Sequence, residues 1–316
     1  MDTILLHLDD ALHRQPTFVD AALSMGAREV DERRCGSAIR LWSRRESLDL
    51  LKHCIVRPAG VPSSPRLCFL GSGDFHHVSS LLIAEAAEAF DGPLTVIHID
   101  NHPDWVHFDR GLHCGSWVNE VAKHKNVQKI ITLGVCSEDL QSPERKGANL
   151  SNLVTGKIEL YPYDHPPSRV KRRYGDSASY TQTGGRLNWS TMKNMGPTVF
   201  TQRLLSRIFT SNVYITIDKD CLSLHDAITN WDQGQLRLSA ILKLLSHIAA
   251  RHRIVGADVI GDYSTPVYTG SLLTRILKHG EIFIDQPLVA PEPFETSDCN
   301  TMTNLTLLKT FSELMA

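Results

Sequence analysis

The chain has 316 residues, of which 33 are Lys or Arg and 35 are Asp or Glu, so its formal charge at pH 7 is −2. With 42% apolar and 22% charged residues, this composition excludes a disordered chain, a coiled coil and a collagen-like fibre. The near-neutral charge also argues against a broad nucleic-acid surface, so we expect no nucleic-acid partner. The 15 histidines are the unusual feature, because histidine binds metals and transfers protons.

The seven cysteines indicate the compartment in which the chain works. They are scattered and form no Cys-x-x-Cys pair, a pattern typical of reduced thiols in a cytoplasmic protein. The first residues lack the apolar core of a signal peptide, and the chain has no run of about 18 apolar residues, so we expect no membrane partner. The length fits one large α/β domain over residues 1–316.

The first 60 residues contain helix-like stretches and carry no recognisable chemistry. One stretch lies near 17–25, and a second runs from about Ser37 to Ile55. Arg and Glu are dense in this region, as they are on solvated surfaces. We therefore predict a helical extension over about residues 1–60, before the first clear strand.

Short β-rich runs alternate with helical patterns from residue 67 onward. The runs predict strands over 67–70, 94–99, 129–135, 213–217, 254–260 and 281–284, and the patterns between them predict helices over 78–90, 117–124 and 238–252. Strands that alternate with helices indicate parallel βαβ units, with helices on both faces of one sheet. The sequence therefore predicts an α/β fold with a mainly parallel sheet.

Residues 163–197 interrupt this alternation with a segment rich in Pro, Gly, Ser and basic side chains. A segment of this length without regular structure is unusual inside a compact domain. We predict a long loop insertion here, which is an active-site lid, a subunit contact or a surface insertion.

Acidic and imidazole side chains follow four of the predicted strands. In an open parallel sheet, ligands bind at the carboxyl ends of the strands, so side chains at these four ends would share one site. Chance accounts for one or two such ends, but a common site is the simpler explanation for four. The residues are Asp74, His76 and His77 after 67–70, Asp100, His102 and Asp104 after 94–99, Asp218 and Asp220 after 213–217, and Asp262 after 254–260.

The spacing of these residues indicates a metal site. Asp100, His102 and Asp104 occupy alternate positions, so an extended backbone directs all three to one side, and Asp218 and Asp220 repeat that spacing. Carboxylates gathered at a buried edge repel one another, and divalent cations remove that cost. The set is too large for one tetrahedral zinc and suits two metals, with Mn²⁺ preferred and Fe, Ni, Co or Zn as alternatives.

His113 is the next candidate, because it follows the Asp104 loop and precedes the predicted helix 117–124. A histidine beside a metal-bound water can act as acid or base toward a leaving amine. The alternative interpretation is a loop histidine that caps the helix. His98, inside a predicted strand, is interpreted as a core residue that faces away from the Asp100 loop.

Four segments together resemble the arginase and agmatinase family, the ureohydrolases. Gly73-Asp74-Phe75-His76-His77 resembles the family's Gly-Gly-Asp-His segment, and Asp100-Asn101-His102-Pro103-Asp104 matches its Asp-Ala-His-x-Asp segment. His113-Cys114-Gly115 resembles its His-Gly segment, and Asp218-Lys219-Asp220 matches its Asp-x-Asp segment. The resemblance spans about residues 67–265, in the family's order.

The resemblance implies an arginase-like three-layer α/β/α sandwich, two Mn²⁺ ions per chain and a homo-oligomer. The implied activity is hydrolysis of a C–N bond in a guanidino, amidino or related linear amide small molecule by metal-bound hydroxide. Asp104 would orient the hydroxide, and His113 would shuttle a proton. By carry-over, one metal takes His76, Asp100, Asp104 and Asp218, and the other takes Asp100, His102, Asp218 and Asp220.

The chain departs from the family's pattern at three places, one of which is that Ser223 and Leu224 stand where the family has a further Asp-Pro. Phe75 precedes the first histidine of its segment, so His76 is the preferred metal ligand and His77 is its rival. Gly261 stands where typical family members carry a Glu that binds the substrate, and Asp262 follows one step later. We predict that Asp262 binds the substrate in this chain.

Two alternative functions remain open on the same residues. A zinc deacetylase-like amidohydrolase of the same fold would hold one metal with two Asp and one His, and would not need both His76 and Asp220. A metal-binding family member without catalytic activity would fit the missing Glu. The number of metals per chain tests the first alternative, and turnover tests the second.

Overall fold

Thirteen strands occur in a computed structural model that describes residues 1–57, 64–287 and 291–316. In chain order they are β1 (Asp2–His7), β2 (Arg28–Asp31), β3 (Trp42–Ser43), β4 (Arg66–Phe69), β5 (Leu94–Ile99), β6 (Leu112–His113), β7 (Val127–Leu133), β8 (Ile158–Tyr161), β9 (Ser168–Arg169), β10 (Tyr180–Thr183), β11 (Arg186–Trp189), β12 (Asn212–Asp218) and β13 (Arg253–Ile260).

Eight of these strands form one sheet in the order β2-β1-β4-β13-β12-β5-β7-β8. Every neighbouring pair in this sheet is parallel. Strands β4, β5 and β12 are buried along their whole length, as expected for parallel strands that are covered on both faces. The predicted parallel sheet is therefore confirmed.

Helices cover both faces of the sheet. Val96 and Ile97, which are successive residues of β5 and point to opposite faces, belong to two different apolar cores. Each core contains helices, so the predicted three-layer α/β/α sandwich is confirmed. The helices of the described residues are α1 (Pro16–Ser24), α2 (Arg33–Ile39), α3 (Arg45–Ile55), α4 (Ser79–Ala89), α5 (Trp117–Ala122), α6 (Ser151–Val154), α7 (Met192–Arg207), α8 (Leu238–Ala249), α9 (Leu272–Asp285) and α10 (Pro293–Leu314).

None of the helices in the described part of the chain has the length and apolar character needed to cross a bilayer.

The predicted strand over 281–284 is wrong, because these residues form the last turns of α9. The run Glu281–Ile284 is short and apolar, a pattern that periodicity alone cannot assign to strand or helix. The helix begins far upstream, where the Ser271 side chain accepts a hydrogen bond from the Thr274 backbone N–H. The other predicted strands lie within about two residues of their observed positions.

The prediction that about residues 1–60 form a helical extension is also wrong. Strand β1 lies between β2 and β4 in the main sheet and pairs with both in parallel. Ile4, Leu5 and Leu6 of β1 are fully buried, so this segment belongs to the central layer of the fold. The helices α1, α2 and α3 connect and follow these strands.

The predicted loop insertion over 163–197 contains regular structure. Strands β10 and β11 form an antiparallel hairpin, and β9 pairs with β11 at its other edge. Gly184 in the hairpin turn has a φ of 57°, a left-handed conformation that favours glycine. The segment is therefore a small three-stranded sheet followed by the start of α7, and the loop prediction is corrected accordingly.

Gly36 in α2 provides a test of how closely the N-terminal segment packs on the sheet. A Cβ atom at this position would lie 1.8 Å from the backbone oxygen of Leu8, which follows β1. We expect Gly36→Ala to lower the free energy of unfolding by about 1–3 kcal/mol, because the backbone must shift to make room. The measurement is urea denaturation followed by circular dichroism.

Gly280 in α9 is the matched control, because a Cβ atom there meets nothing within 4 Å. Gly280→Ala should raise stability by up to about 1 kcal/mol through its better helix propensity. A Gly36→Ala protein as stable as the wild type would contradict the observed packing of α2 against the sheet.

Candidate metal centre

The candidate centre lies at the carboxyl edge of the four central strands, β4, β13, β12 and β5. Asp218 is the last residue of β12, and Asp100 directly follows β5. Two 3₁₀ turns, over 73–78 and 219–221, carry the residues that follow β4 and β12. Because parallel strands end at a common edge, the structure brings together the six predicted metal ligands, which are His76, Asp100, His102, Asp104, Asp218 and Asp220.

One half of the centre surrounds His76. Its Nδ1 atom lies 3.1 Å from Asp100 Oδ2, 3.1 Å from Asp104 Oδ2 and 3.5 Å from Asp218 Oδ2. All four side chains are nearly inaccessible to solvent. Three carboxylate oxygens converge on one imidazole nitrogen, which is the arrangement expected of groups that share a cation.

The other half of the centre surrounds His102. Its Nδ1 atom lies 2.9 Å from Asp220 Oδ2 and 3.6 Å from Asp100 Oδ1. Asp100 thus contributes one carboxylate oxygen to each half. Two sets of candidate ligand atoms, each within 4.8 Å of one another, share this residue: His76, His98, Asp100 and Asp104 form the first, and Asp100, His102 and Asp220 form the second.

Asp104 adopts an unusual backbone conformation in order to reach the centre. Its φ of 48° lies in the left-handed region, which costs energy for a residue other than glycine and is frequent at functional sites. The indole Nε1 of Trp117 donates a 2.6 Å hydrogen bond to Asp104 Oδ2 and fixes the carboxylate. The Pro103 ring precedes this turn and restricts His102 to extended conformations.

A chain of hydrogen bonds fixes the orientation of His76. The Thr216 hydroxyl donates to Asp258 Oδ1 at 2.7 Å, so at 3.0 Å it accepts from His76 Nε2. The proton of a neutral His76 therefore lies on Nε2, and the free electron pair of Nδ1 faces the carboxylates. An outer partner that sets the tautomer in this way is typical of metal-binding histidines.

His98 also belongs to the centre, and its interpretation as a core residue that faces away from the Asp100 loop is wrong. Its Nε2 atom lies 2.8 Å from Asp100 Oδ2, and its Nδ1 atom lies 3.1 Å from the Thr132 hydroxyl. His98 and Asp100 are two positions apart along one extended segment, so both side chains point to the same face. The alternation rule, applied to the strand itself, could have identified this residue.

The electrostatics of the centre favour a bound cation. Burial and the neighbouring Asp100 raise the pKa of Asp218 to about 7. Burial and Asp218 raise the pKa of Asp220 well above its usual value. Burial lowers the pKa of His76, but the Asp100 and Asp104 carboxylates outweigh burial and raise it well above the usual value. Carboxylate and imidazole donors with excess negative charge fit Mn²⁺ and related divalent cations.

A cleft of about 590 Å³ opens onto the centre and contains His113. His113 Nδ1 accepts a 2.8 Å hydrogen bond from the Gly115 backbone N–H and so caps the 3₁₀ turn over 114–116, not the helix α5 that it was predicted to cap. Its Nε2 atom contacts the Glu281 carboxylate, which α9 brings into the cleft. Sequence reasoning missed Glu281, because residues 281–284 were predicted to form a strand.

His77, the rival metal ligand, lies outside the centre. It is completely buried, and neither of its ring nitrogens has a hydrogen-bond partner of normal geometry among the described residues. Burial, together with the positive field of His113 and Lys278, lowers its pKa well below the usual value. The structure therefore favours His76 as the residue that faces the carboxylates.

The prediction that Asp262 binds the substrate is wrong, because this side chain is buried and does not line the cleft. Its carboxylate forms an ion pair with Lys219 and accepts a 2.9 Å hydrogen bond from Gln15 Nε2. Gly261, one residue earlier, has a φ of 95°, and a Cβ atom there would lie 2.3 Å from Asp218 Oδ1. The turn after β13 therefore directs Asp262 away from the centre.

A separate buried network holds the turn that carries His76. Asp74, in the same turn, accepts a 2.7 Å hydrogen bond from Arg40 Nε and a 2.9 Å hydrogen bond from Trp231 Nε1. Both Arg40 and Asp74 are fully buried, so each charge depends on the other. Trp231 also contacts the His102 ring edge-on at 5.6 Å, and in this way the network reaches both halves of the centre.

Comparisons of amino-acid sequence relate the chain to few known proteins. No family model matches it. An uncharacterised protein of Thermotoga maritima is 25% identical over 202 residues, which is 64% of this chain. The chain covers 60% of the length of that relative.

Solved structures of ureohydrolases are similar to this chain over nearly its whole length. Formimidoylglutamase from Bacillus subtilis has a TM-score of 0.62 at 13% identity, with 100% of this chain and 87% of that chain covered. Arginase from Bacillus caldovelox has a TM-score of 0.58 at 13% identity, covering 96% of each chain. Proclavaminate amidino hydrolase from Streptomyces clavuligerus has a TM-score of 0.57 at 13% identity, covering 99% and 92%. These likenesses confirm the predicted arginase-like fold, and at this identity they establish the fold alone.

Substitution of the shared carboxylate tests whether the two halves form one binuclear centre. Asp100→Asn should abolish binding of both metals, because Asp100 contributes an oxygen to each half. Asp220→Asn should remove only the metal on the His102 side. The measurement is elemental analysis after Mn²⁺ loading and dialysis, with Asp139→Asn, a cleft carboxylate outside the centre, as control. Full metal content in Asp100→Asn would refute the shared site.

Asp262→Asn tests the structural role of the Lys219 ion pair. Loss of one partner leaves a buried charge uncompensated, so stability should fall by about 3–5 kcal/mol, while metal content per folded chain stays unchanged. Chemical denaturation and elemental analysis measure these quantities. Asp10→Asn, which breaks an exposed pair with Arg14, is the control and should have little effect. Unchanged stability with altered metal content would show instead that Asp262 acts at the centre.

Proposed function

We propose that the protein is a binuclear metal-dependent hydrolase that cleaves a C–N bond in a guanidino or amidino small molecule. This proposal rests on one observation: two clusters of His and Asp side chains share Asp100 at the carboxyl edge of the central strands. The fold supports it, because arginase, formimidoylglutamase and proclavaminate amidino hydrolase have the same architecture. Small molecules of this class are the proposed substrates.

The proposed ligands divide into two sets that share two carboxylates. Asp100 and Asp218 would belong to both, His76 and Asp104 to one, and His102 and Asp220 to the other. The bound metals, Mn²⁺ by preference, would supply a Lewis acid that lowers the pKa of a water molecule and so provides a nucleophile near neutral pH. The short contacts within each half support this division.

The protein's own residues would position the nucleophile and move the proton. Asp104 is held by Trp117, so its carboxylate has a fixed orientation in the centre. His113 lines the cleft beside the centre, and its Nε2 atom carries the proton when the ring is neutral, because Nδ1 accepts from Gly115. His113 would give a proton to the leaving amine as the C–N bond breaks.

A metal-binding protein without catalytic activity is the second candidate, and Gly261 is the observation that favours it. The position lacks the carboxylate that typical ureohydrolases use for their substrate, and the close approach of Asp218 leaves no room for one. By contrast, a deacetylase that holds one zinc with two Asp and one His would leave His76 and Asp220 without a role. The products released from guanidino, amidino and acyl-amine compounds separate all three functions.

The test is a broad assay of the Mn²⁺-loaded protein on guanidino, amidino and acyl-amine compounds, with detection of urea, ammonia, formamide and acetate. We expect urea, ammonia or formamide from at least one compound. His113→Asn should lower kcat by about 10²–10⁴-fold without loss of metal, because proton transfer is removed. His107→Asn, an exposed histidine nearby, is the control. Acetate alone would support the deacetylase, and retained metal without any product would support the non-catalytic protein.

A further inference from the structure

Helix α9 forms the wall of the cleft that faces His113. Glu281, Ile284 and Asp285, on its last turns, line the cleft. The helix is attached to the body of the protein through Lys278, whose ammonium is buried and donates to the Ala38 backbone oxygen at 2.9 Å. Residues of α9 therefore occupy defined positions opposite the metal centre.

The cleft wall is strongly acidic outside the proposed ligand set. Among the described residues, the wall has a single Lys or Arg, Lys146, and it is 3.1 Å from the Asp139 carboxylate, so that charge is already balanced. Asp232 is also engaged, since Asn101 donates to it at 3.0 Å. The carboxylates of the wall are Glu138, Asp139, Asp232, Glu281 and Asp285.

Glu281 is the wall carboxylate that lies against the predicted acid or base. Its Oε1 atom contacts His113 Nε2, and its side chain is 21% exposed, toward the cleft. The Oε2 atom makes no hydrogen bond with the described residues, so it is available to a ligand. The turn after β13 offers no carboxylate to the cleft. Gly261 has no side chain, and the Asp262 carboxylate forms an ion pair with Lys219.

We propose that Glu281 binds the positively charged end of the substrate beside His113, and that the cleft accepts guanidines or amidines whose remaining part carries no carboxylate. This inference rests on the proposed function and names the substrate class of the same site. Substrate binding is thereby assigned to Glu281 of helix α9 and no longer to Asp262, which follows β13.

The chemistry of the head group fits a carboxylate at this position. Guanidinium and amidinium ions are planar cations with N–H donors on adjacent nitrogens, and carboxylates bind such forks with short charge-assisted hydrogen bonds. With Oε1 directed at His113, the free Oε2 of Glu281 would hold the cation next to the proton donor. The urea or amide product carries no charge and would lose this interaction, which favours its release.

The rest of the substrate would meet an excess of negative charge, because the Lys146 charge is already balanced by Asp139. A carboxylate on the tail would face Glu138 and Asp285, with no free cation among the described cleft residues to receive it. Like charges placed opposite one another exclude a ligand, whereas an ammonium on the tail would be attracted. The wall therefore selects a cationic or neutral tail.

Equilibrium binding by surface plasmon resonance tests both parts of the inference, because flowing ligand replaces any that is hydrolysed. The probes are agmatine, with an amine tail, and 4-guanidinobutyrate, with a carboxylate tail, on immobilised Mn²⁺-loaded protein. We expect agmatine to bind about 10-fold or more tightly than 4-guanidinobutyrate. Glu281→Gln should weaken agmatine binding by about 10- to 100-fold, the effect of one lost charged hydrogen bond.

Two further variants make this experiment decisive. Glu281→Asp keeps the charge and should recover part of the agmatine affinity, which guards against a folding defect in Glu281→Gln. Glu88→Gln, at an exposed glutamate of α4 that is outside the cleft, should bind agmatine as the wild type does. Thermal melts and metal content of each variant are measured on the same samples.

Any of three results would overturn the inference. They are agmatine binding by Glu281→Gln within about twofold of the wild type, equal binding of the two probes, and no binding by the wild type. Failure of the inference is distinguishable from failure of the proposed function. A protein that binds agmatine through Glu281 and releases no product retains the inference and loses the function. A protein that hydrolyses amidines without dependence on Glu281 retains the function and loses the inference.

Discussion

Crowding of buried carboxylates at one sheet edge is the constraint on which the rest of the site depends. Asp100, Asp104, Asp218 and Asp220 are each less than a tenth exposed. Burial, and after it the mutual repulsion of these carboxylates where water is excluded, raises the pKa of Asp218 and of Asp220. Such an arrangement is costly in a protein that has no use for it. The proposed pair of divalent cations would turn this cost into binding free energy.

The surrounding structure is organised to hold these groups in place. The Thr216 hydroxyl, which Asp258 holds, orients His76, and the Trp117 indole fixes Asp104. Lys219 lies between the candidate ligands Asp218 and Asp220 in the sequence and forms an ion pair with Asp262. Its ammonium also donates a hydrogen bond to Asn304, which links the turn after β12 to the C-terminal part of the chain. Outer partners of this kind keep metal ligands in the geometry that the metal requires. The precision of the centre therefore depends on buried groups that never touch the metal.

Local spacing predicted much of the fold and the centre, and long-range contacts account for what it missed. The residue types that directly follow β5 were sufficient to identify Asp100, His102 and Asp104, although the backbone bends at residues 101–102 and Asp104 reaches the centre through a left-handed φ of 48° and not through strand alternation. The partner of Asp262 is Lys219, on another strand end, and no local pattern could show that this pair would remove Asp262 from the cleft. Glu281 reaches the cleft only through the tertiary placement of α9, so a reading of isolated segments could not find it.

The most direct test of the central claim is a crystal structure of the Mn²⁺-loaded protein with anomalous diffraction recorded near the manganese edge. We expect two anomalous peaks about 3.5–4 Å apart, one on the His76 side and one on the His102 side, with Asp100 in contact with both. A single peak, a pair of peaks elsewhere in the cleft, or no peak at full Mn²⁺ loading would contradict the claim.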